Sequence, residues 1–241
     1  MRKPFLAALA LSLLVLPPAA TAQDYVQYEV QRVSALPGST ADIGMAMVEH
    51  NELFHAEAPY AASVFYIVTG EYAGQFQWAM GPTTYAQIDD RPANVAHSSD
   101  WANRVLAHAE VHENDYWIRV DELSYMSELD DPGPVSVVRR FDVADAELFV
   151  KVQGQIMETF AAANAPYPRV MYRRRGMSKD PWGWAGVRTY PNWAAMDDDS
   201  FDFEQEFRAR NGDAAWETFL EEFGQAVNAR DDMIRQRVTR D

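Results

Sequence analysis

The chain contains no cysteine. No disulfide can staple it in an oxidising compartment, no thiolate can act as a nucleophile, and no lipid can be attached through sulfur. Its stability must come from packing, for which 48% apolar and 12% aromatic residues are ample. A glycine-rich phosphate loop and a serine nucleophile elbow are also missing, so nucleotide-dependent and serine-hydrolase chemistry have no support. Positive charge is scarce: 21 Lys and Arg stand against 36 Asp and Glu, a net charge of −15. So acidic a surface repels phosphate backbones and anionic lipid, and neither nucleic acid nor a membrane is expected as a partner.

No apolar run is long enough to cross a bilayer. The one that comes nearest, Phe5 to Leu16, has 12 residues, against the roughly 20 that a spanning helix needs. It follows Arg2 and Lys3 and precedes the small residues Ala20-Thr21-Ala22. This three-part layout is that of a secretory signal peptide over residues 1–22. The mature chain is therefore expected to start at Gln23, to carry a charge of −17 once Arg2 and Lys3 are lost, and to be periplasmic or secreted.

What is present is an echo. "TYAQIDD" at 84–90 and "NWAAMDD" at 192–198 each follow a tryptophan-bearing apolar run, at Trp78 and Trp184. At an offset of about 105–108, Glu29-Val30-Gln31-Arg32 falls on Val137-Val138-Arg139-Arg140. Val64, Tyr66 and Gly70 fall on Val170, Tyr172 and Gly176. Alternation of apolar and polar residues predicts strands at 25–34, 62–70, 74–81 and 115–124, then at 135–143, 168–176, 182–190 and 233–239. Helices are expected at 41–57 (stripe Ile43, Met47, Leu53, Phe54), at Ser99–Ala107 behind a Ser99 or Asp100 cap, at 145–163, and around Trp216, Phe219, Phe223 and Val227. Short ones are expected at 83–89 and 192–197. Each half thus reads β-α-β-β-α-β, the ferredoxin-like unit: residues 23–129 and 135–241, joined by the breaker "DDPGP" at 130–134.

The fold class is therefore α+β, with two tandem ferredoxin-like units. Their strands carry apolar residues on both faces, so each sheet's helix-free face must be covered. A second copy of the same sheet is the simplest cover, giving an α/β barrel with an interior between the sheets. On "FQWAMGPTTYAQIDDRP" and "RTYPNWAAMDDD" the chain resembles the dimeric α/β-barrel superfamily in a tandem single-chain form. That group includes small monooxygenases, muconolactone-isomerase-like proteins and fused haem-binding members. The resemblance implies a small apolar or aromatic ligand between the sheets, cofactor-free or haem-supported oxidation or isomerisation, and haem as an allowed but not required cofactor. The alternative is a non-catalytic binding or scaffold module with a solidly packed interior. A tandem chain closes its own barrel, so a homodimer is compatible with it but not needed.

All five histidines, His50, His55, His97, His108 and His112, fall in the first half. His50 and His55 are five apart, so a regular helix cannot put both on one face. A metal pair there is disfavoured unless the helix ends between them, and no metal site is expected. One of the two is expected to reach the barrel mouth as a general base with Tyr66, or as a haem ligand; the structural alternative is a surface histidine plus one near the helix C-terminus. His108 and His112 have i,i+4 spacing but sit where a helix should end. His97 reads as a loop residue over the mouth. Asn51, Trp78 and His97 are candidate ligand contacts. The second-half strands hold Arg139, Arg140, Arg173, Arg174, Arg175, Arg235 and Arg237. Arg173 and Arg174 are the candidate clamp for a carboxylate; the alternative is cross-sheet pairing with Glu29, Asp121 and Glu122. Phe65, Tyr66, Trp78, Trp117, Tyr172, Trp182 and Trp184 are core residues, some of which line the cavity.

Overall fold

The computed structural model describes residues 25–92, 94–126, 133–176, 178–198 and 200–240. The expected leader at 1–22 and most of the linker at 130–134 lie outside the described residues. No described helix is long and apolar enough to cross a membrane.

Eight strands alternate with helices: β1 (Gln27–Ala35), α1 (Thr40–Phe54), β2 (Ala62–Ile67), β3 (Phe76–Thr83), α2 (Tyr85–Asp89), α3 (Val95–Asp100) and β4 (Ala109–Arg119) come first. Then follow β5 (Val135–Val143), α4 (Ala146–Ala162), β6 (Val170–Arg175), β7 (Trp184–Tyr190), α5 (Phe203–Asn211), α6 (Asp213–Ala226) and β8 (Val227–Arg237). The strands close into one barrel in the order β1-β3-β2-β8-β5-β7-β6-β4, with every neighbouring pair antiparallel. The first half contributes β4-β1-β3-β2 and the second β8-β5-β7-β6, the same fourth-first-third-second order. The two sheets are hydrogen-bonded at both seams as well as facing each other, through Phe65–Ile67 on β8 and Tyr116–Arg119 on β6.

Strand alternation then divides the side chains. On β3, Gln77 and Ala79 point into the barrel, while Trp78 and Met80 point outward beneath the helices. Outside the first half, Ile43 and Met47 of α1 pack on Val33, Val64, Trp78 and Met80. Outside the second, Phe149, Val152, Trp216 and Phe219 of α4 and α6 pack on Phe141, Met171 and Trp184. Each such fully buried side chain stabilises the fold by about 1.5–3 kcal/mol.

Five elements depart from the sequence expectation. Strand β8 runs over Val227–Arg237 rather than 233–239, so Val227 begins a strand instead of sharing the helix face of Trp216, Phe219 and Phe223. Leu53 is not on the packed stripe of α1; it is 61% exposed, and the stripe runs Ile43, Met47, His50 instead, at i, i+4 and i+7. Helix α3 starts at an Asn94 cap, whose side chain accepts from the His97 amide, rather than at Ser99 or Asp100, and runs into a π-helical turn at Trp101–Val105. Strand β4 begins six residues early because its polar start pairs with polar neighbours on β1. Ser34 meets His112 at 2.6 Å, Arg32 meets Glu113 at 3.2 Å, and Asn114 donates to Glu29 at 3.1 Å. Helix α5 is an addition that apolar periodicity cannot register, since Phe207 is its one buried residue.

Candidate functional site

Two features stand out: a cluster of imidazoles outside the barrel, and a chamber inside it.

The cluster is built by the end of one helix and the start of another. His50 lies on the buried stripe of α1 and is fully buried. The helix stops at Phe54, and His55 is its C-cap, with φ −135° and ψ 32°. That break releases His55 from the helical rotation, so it turns to the same side as His50. Their ring centroids are 5.3 Å apart. Asn94 caps α3 and places His97 in its first turn. The His97 Nε2 is 3.3 Å from His50 Nε2 and 3.0 Å from His55 Nε2.

Two of the rings are oriented from behind. His50 Nδ1–H donates to the Asp100 carboxylate at 2.8 Å. Asp100 in turn takes the Arg104 Nε–H at 2.9 Å, and Arg104 also bonds Glu49. Three residues separate His97 from Asp100, so the two share a face of α3 and meet His50 together. His55 Nδ1–H donates to the Tyr60 carbonyl at 3.0 Å, and its ring lies edge-on to Trp78. Asn51 holds that indole by accepting from Trp78 Nε1 at 2.8 Å, while its amide donates to the Ala62 carbonyl at 3.2 Å. Burial lowers the pKa of His55 to about 4 and also lowers those of His50 and His97; Asp100 opposes the shift at His50. Burial works against the Asp100 carboxylate, but its hydrogen bonds to His50 and Arg104 prevail and lower its pKa. At neutral pH the three imidazoles are therefore uncharged.

The chamber lies between the two sheets and has a volume of about 640 Å³. Phe65, Trp117, Val138 and Val187 supply apolar wall, and Tyr28 and Tyr172 supply phenols. Burial raises the Tyr172 pKa strongly, so its hydroxyl stays protonated. Although the chain is acidic, no Asp or Glu among the described residues lines the space, whereas Arg140, Arg235 and Arg237 do. Arg140 is neutralised at one end by Asp231 at 2.5 Å, Glu71 at 3.1 Å and Asp180 at 3.5 Å. Arg235 is not. It bonds the Gln77 side-chain oxygen and lies 4.1 Å from the Phe65 ring centroid. Its Nε has no partner, and among the described residues no carboxylate pairs with it. Burial, with Arg237 nearby, lowers its pKa to about 10, so it remains a cation at neutral pH.

These positions correct the sequence reading of the site. His50 and His55 do not reach the barrel mouth; both lie outside the sheet. Tyr66 and Trp78 point the same way, into the helix-side core, and Asn51 is occupied in holding Trp78. His97 is not over the mouth but in the imidazole cluster. Arg173 packs against Trp184 on the outer face. Arg174 is paired with Asp115 and Asp180 at 3.6 and 3.7 Å, so neither clamps a ligand in the chamber. The expected cross-sheet acids are engaged elsewhere: Glu29 with Arg91, and Asp121 with Arg119. His108 and His112 bond the β1 side through Ser39 and Ser34. Sequence reasoning missed Asp100 as a partner of His50, and it missed Arg235 and Gln77 as chamber residues. The signal for Arg235 was available, because Met233, Arg235 and Arg237 share one face of β8.

No family model matches the sequence, and no curated protein matches it either. Solved structures do match, over almost the whole chain. One is provisionally assigned as a monooxygenase from Fusobacterium nucleatum, with a TM-score of 0.57 at 9% identity over 90% of this chain and 94% of that one. Another, from Lactobacillus acidophilus and assigned in the same way, gives 0.54 at 14% over 90% and 95%. The chlorite dismutase of Candidatus Nitrospira defluvii, solved in complex with imidazole, gives 0.52 at 9% over 88% and 90%.

The fold is that of these structures, a closed α/β barrel built from two ferredoxin-like sheets. Identities this low speak for architecture alone, so the chemistry must be read from this chain's own residues.

Haem, allowed by the sequence resemblance, is the first group to test. Among the described residues the chamber lining contains no histidine and no cysteine, and its half-buried phenol Tyr172 is held protonated, which makes it a poor iron ligand. Outside the second half, the space between helices and sheet is filled by Phe141, Phe149, Phe207, Trp216 and Phe219, and that half has no histidine. Neither place supplies an axial ligand. The residues do not fit haem, and no step is routed through it.

Proposed function

We propose that this α/β-barrel protein binds a small, flat, largely apolar anion, such as an aromatic carboxylate or phenolate, in the chamber between its sheets. One observation carries the reading: Arg235 is a cation on the wall of a roughly 640 Å³ space that no acid lines. A buried, unpaired charge is costly. An incoming anion would supply the missing partner through a charge-assisted hydrogen bond, while Phe65 and Trp117 would cover its apolar body.

The lining also limits the chemistry. It offers no histidine, aspartate or glutamate to take a proton, so His50, His55 and Tyr66 are not the acid and base of this chamber. Cofactor-free oxygenation or isomerisation would fit best for a substrate that enters already ionised, with the arginines favouring its anion. The three-part leader supports export of the protein, where its ligand would be met outside the cytoplasm.

The test uses Trp117 as reporter. Binding of 8-anilinonaphthalene-1-sulfonate, an apolar anion, should quench tryptophan fluorescence saturably, and Arg235→Met should weaken that binding about 10–100-fold, the scale of one charge-assisted hydrogen bond. A neutral or cationic aromatic of the same size should bind poorly. Equal binding of anion and cation, or an unaltered Arg235→Met, would refute the reading.

A further inference from the structure

The imidazole cluster lies outside the chamber, and anion binding does not explain it. From His50, His55 and His97 we infer a tri-histidine site for a divalent transition-metal ion of the zinc class, with Asp100 and the Tyr60 carbonyl orienting two of the ligands.

The proton count of the cluster falls short. A neutral imidazole has one N–H. That of His50 is committed to Asp100, which as a carboxylate only accepts. That of His55 is committed to the Tyr60 carbonyl, which also only accepts. Both Nε2 atoms are then lone pairs, and both face His97 Nε2. His97 has at most one proton there and can satisfy one of them. The other Nε2 is left as an acceptor facing a nitrogen whose proton points elsewhere, about 3 Å away, within a buried cluster. A hydrogen-bonded core would not be arranged so, because a buried acceptor without a donor costs about 1–3 kcal/mol.

A cation resolves the count, since it takes all three lone pairs at once. The ligand atoms lie within 4.8 Å of one another, and two of the three separations, 3.3 and 3.0 Å, are near the ~3.3 Å edge of a tetrahedron with metal–nitrogen bonds of about 2.0–2.1 Å. The His50–Asp100 pair matches the second-shell carboxylate that fixes a ligating histidine's tautomer. Imidazole donors suit zinc, copper, iron and nickel and disfavour calcium and magnesium.

Three protein ligands leave one tetrahedral position open, the pattern of a reactive rather than a purely structural zinc site. His50 and His55 are buried, whereas His97 is half-exposed. The fourth position is therefore reached from the α3 side, where water or a small ligand would bind.

The experiment uses the mature chain without a polyhistidine tag. After chelator treatment and dialysis, it is titrated with Co(II) and then with Zn(II) in competition. One equivalent of Co(II) should bind, develop the visible absorption of a low-coordinate site, and be displaced by Zn(II). His97→Ala lies on a short, half-exposed helix and should fold; it should bind at least 100-fold more weakly and lose the thermal stabilisation by Zn(II) that the parent shows. Asp100→Asn should weaken binding about 10–100-fold. His112→Ala and Arg235→Met should bind as the parent does. Absence of stoichiometric uptake by the parent, or full uptake by a folded His97→Ala, would overturn the site.

Discussion

Trp78 and Trp184 occupy the same place in the two halves, on the third strand and facing outward under the helices, yet they keep different company. Trp184 packs against Phe149 with ring centroids 5.1 Å apart, in a layer of Phe141, Phe207, Trp216 and Phe219. Trp78 donates its indole N–H to Asn51 and sets its ring against His55. One sheet order therefore supports two kinds of outer layer: a wholly apolar one, and one in which three imidazoles and a carboxylate stand beside the apolar packing of Ile43 and Met47. Buried polar groups contribute little net stability unless each has a partner. The outer layer of the second half therefore serves stability alone, whereas that of the first half also holds the imidazole cluster.

That contrast can be broken by experiment. Phe149 is fully buried, so Phe149→Ala should cost about 3–5 kcal/mol in denaturant unfolding; a loss under 1 kcal/mol would remove the stabilising role of the second layer. Asn51→Leu strands the Trp78 N–H and should cost about 1–3 kcal/mol, with a red-shifted tryptophan emission if water reaches the indole. Arg235 has a folded-state pKa depressed to about 10, so its charge, and with it the affinity for an apolar anion, should hold constant from pH 6 to 9 and fall as pH rises through about 10. The stability linkage runs the other way. The native state binds this proton less well than the unfolded chain, so this residue's contribution to stability rises with pH above about 10. An anion affinity that drops in the neutral range would assign the site to another group. Leu53→Ser, on the exposed side of α1, should change stability by less than about 0.5 kcal/mol, and a larger loss would mean that this helix face is covered in solution.

Much of the frame was legible in the residues. Strand β5 falls on 135–143, as alternation alone places it, and the repeated Trp-to-Asp-Asp pattern led to the barrel. What alternation could not register was polar pairing. The start of β4, Glu110 to Asn114, has no apolar face because its partners on β1 are Arg32, Ser34 and Glu29. Helix α5 shows only Phe203 and Phe207 at i,i+4 spacing among charged residues. The imidazole cluster was harder still, because His97 is 47 and 42 residues from its partners and meets them only when α3 docks on α1. Confinement of all five histidines to one half was the visible hint. The rule against His50 and His55 sharing a side held for a continuous helix, and this helix stops at Phe54. For the chamber, alternation was enough to group Met233, Arg235 and Arg237, but choosing among seven strand arginines required knowing which acids stood opposite.

Closing the barrel within a single polypeptide has a consequence for how such a protein can specialise. A ring made from two identical chains must repeat whatever it carries, so each replacement is imposed twice, once per copy. Here the two flanks are encoded separately. Histidines can accumulate on one and phenylalanines on the other, and the arginines of one half can line the lumen without symmetry mates facing them.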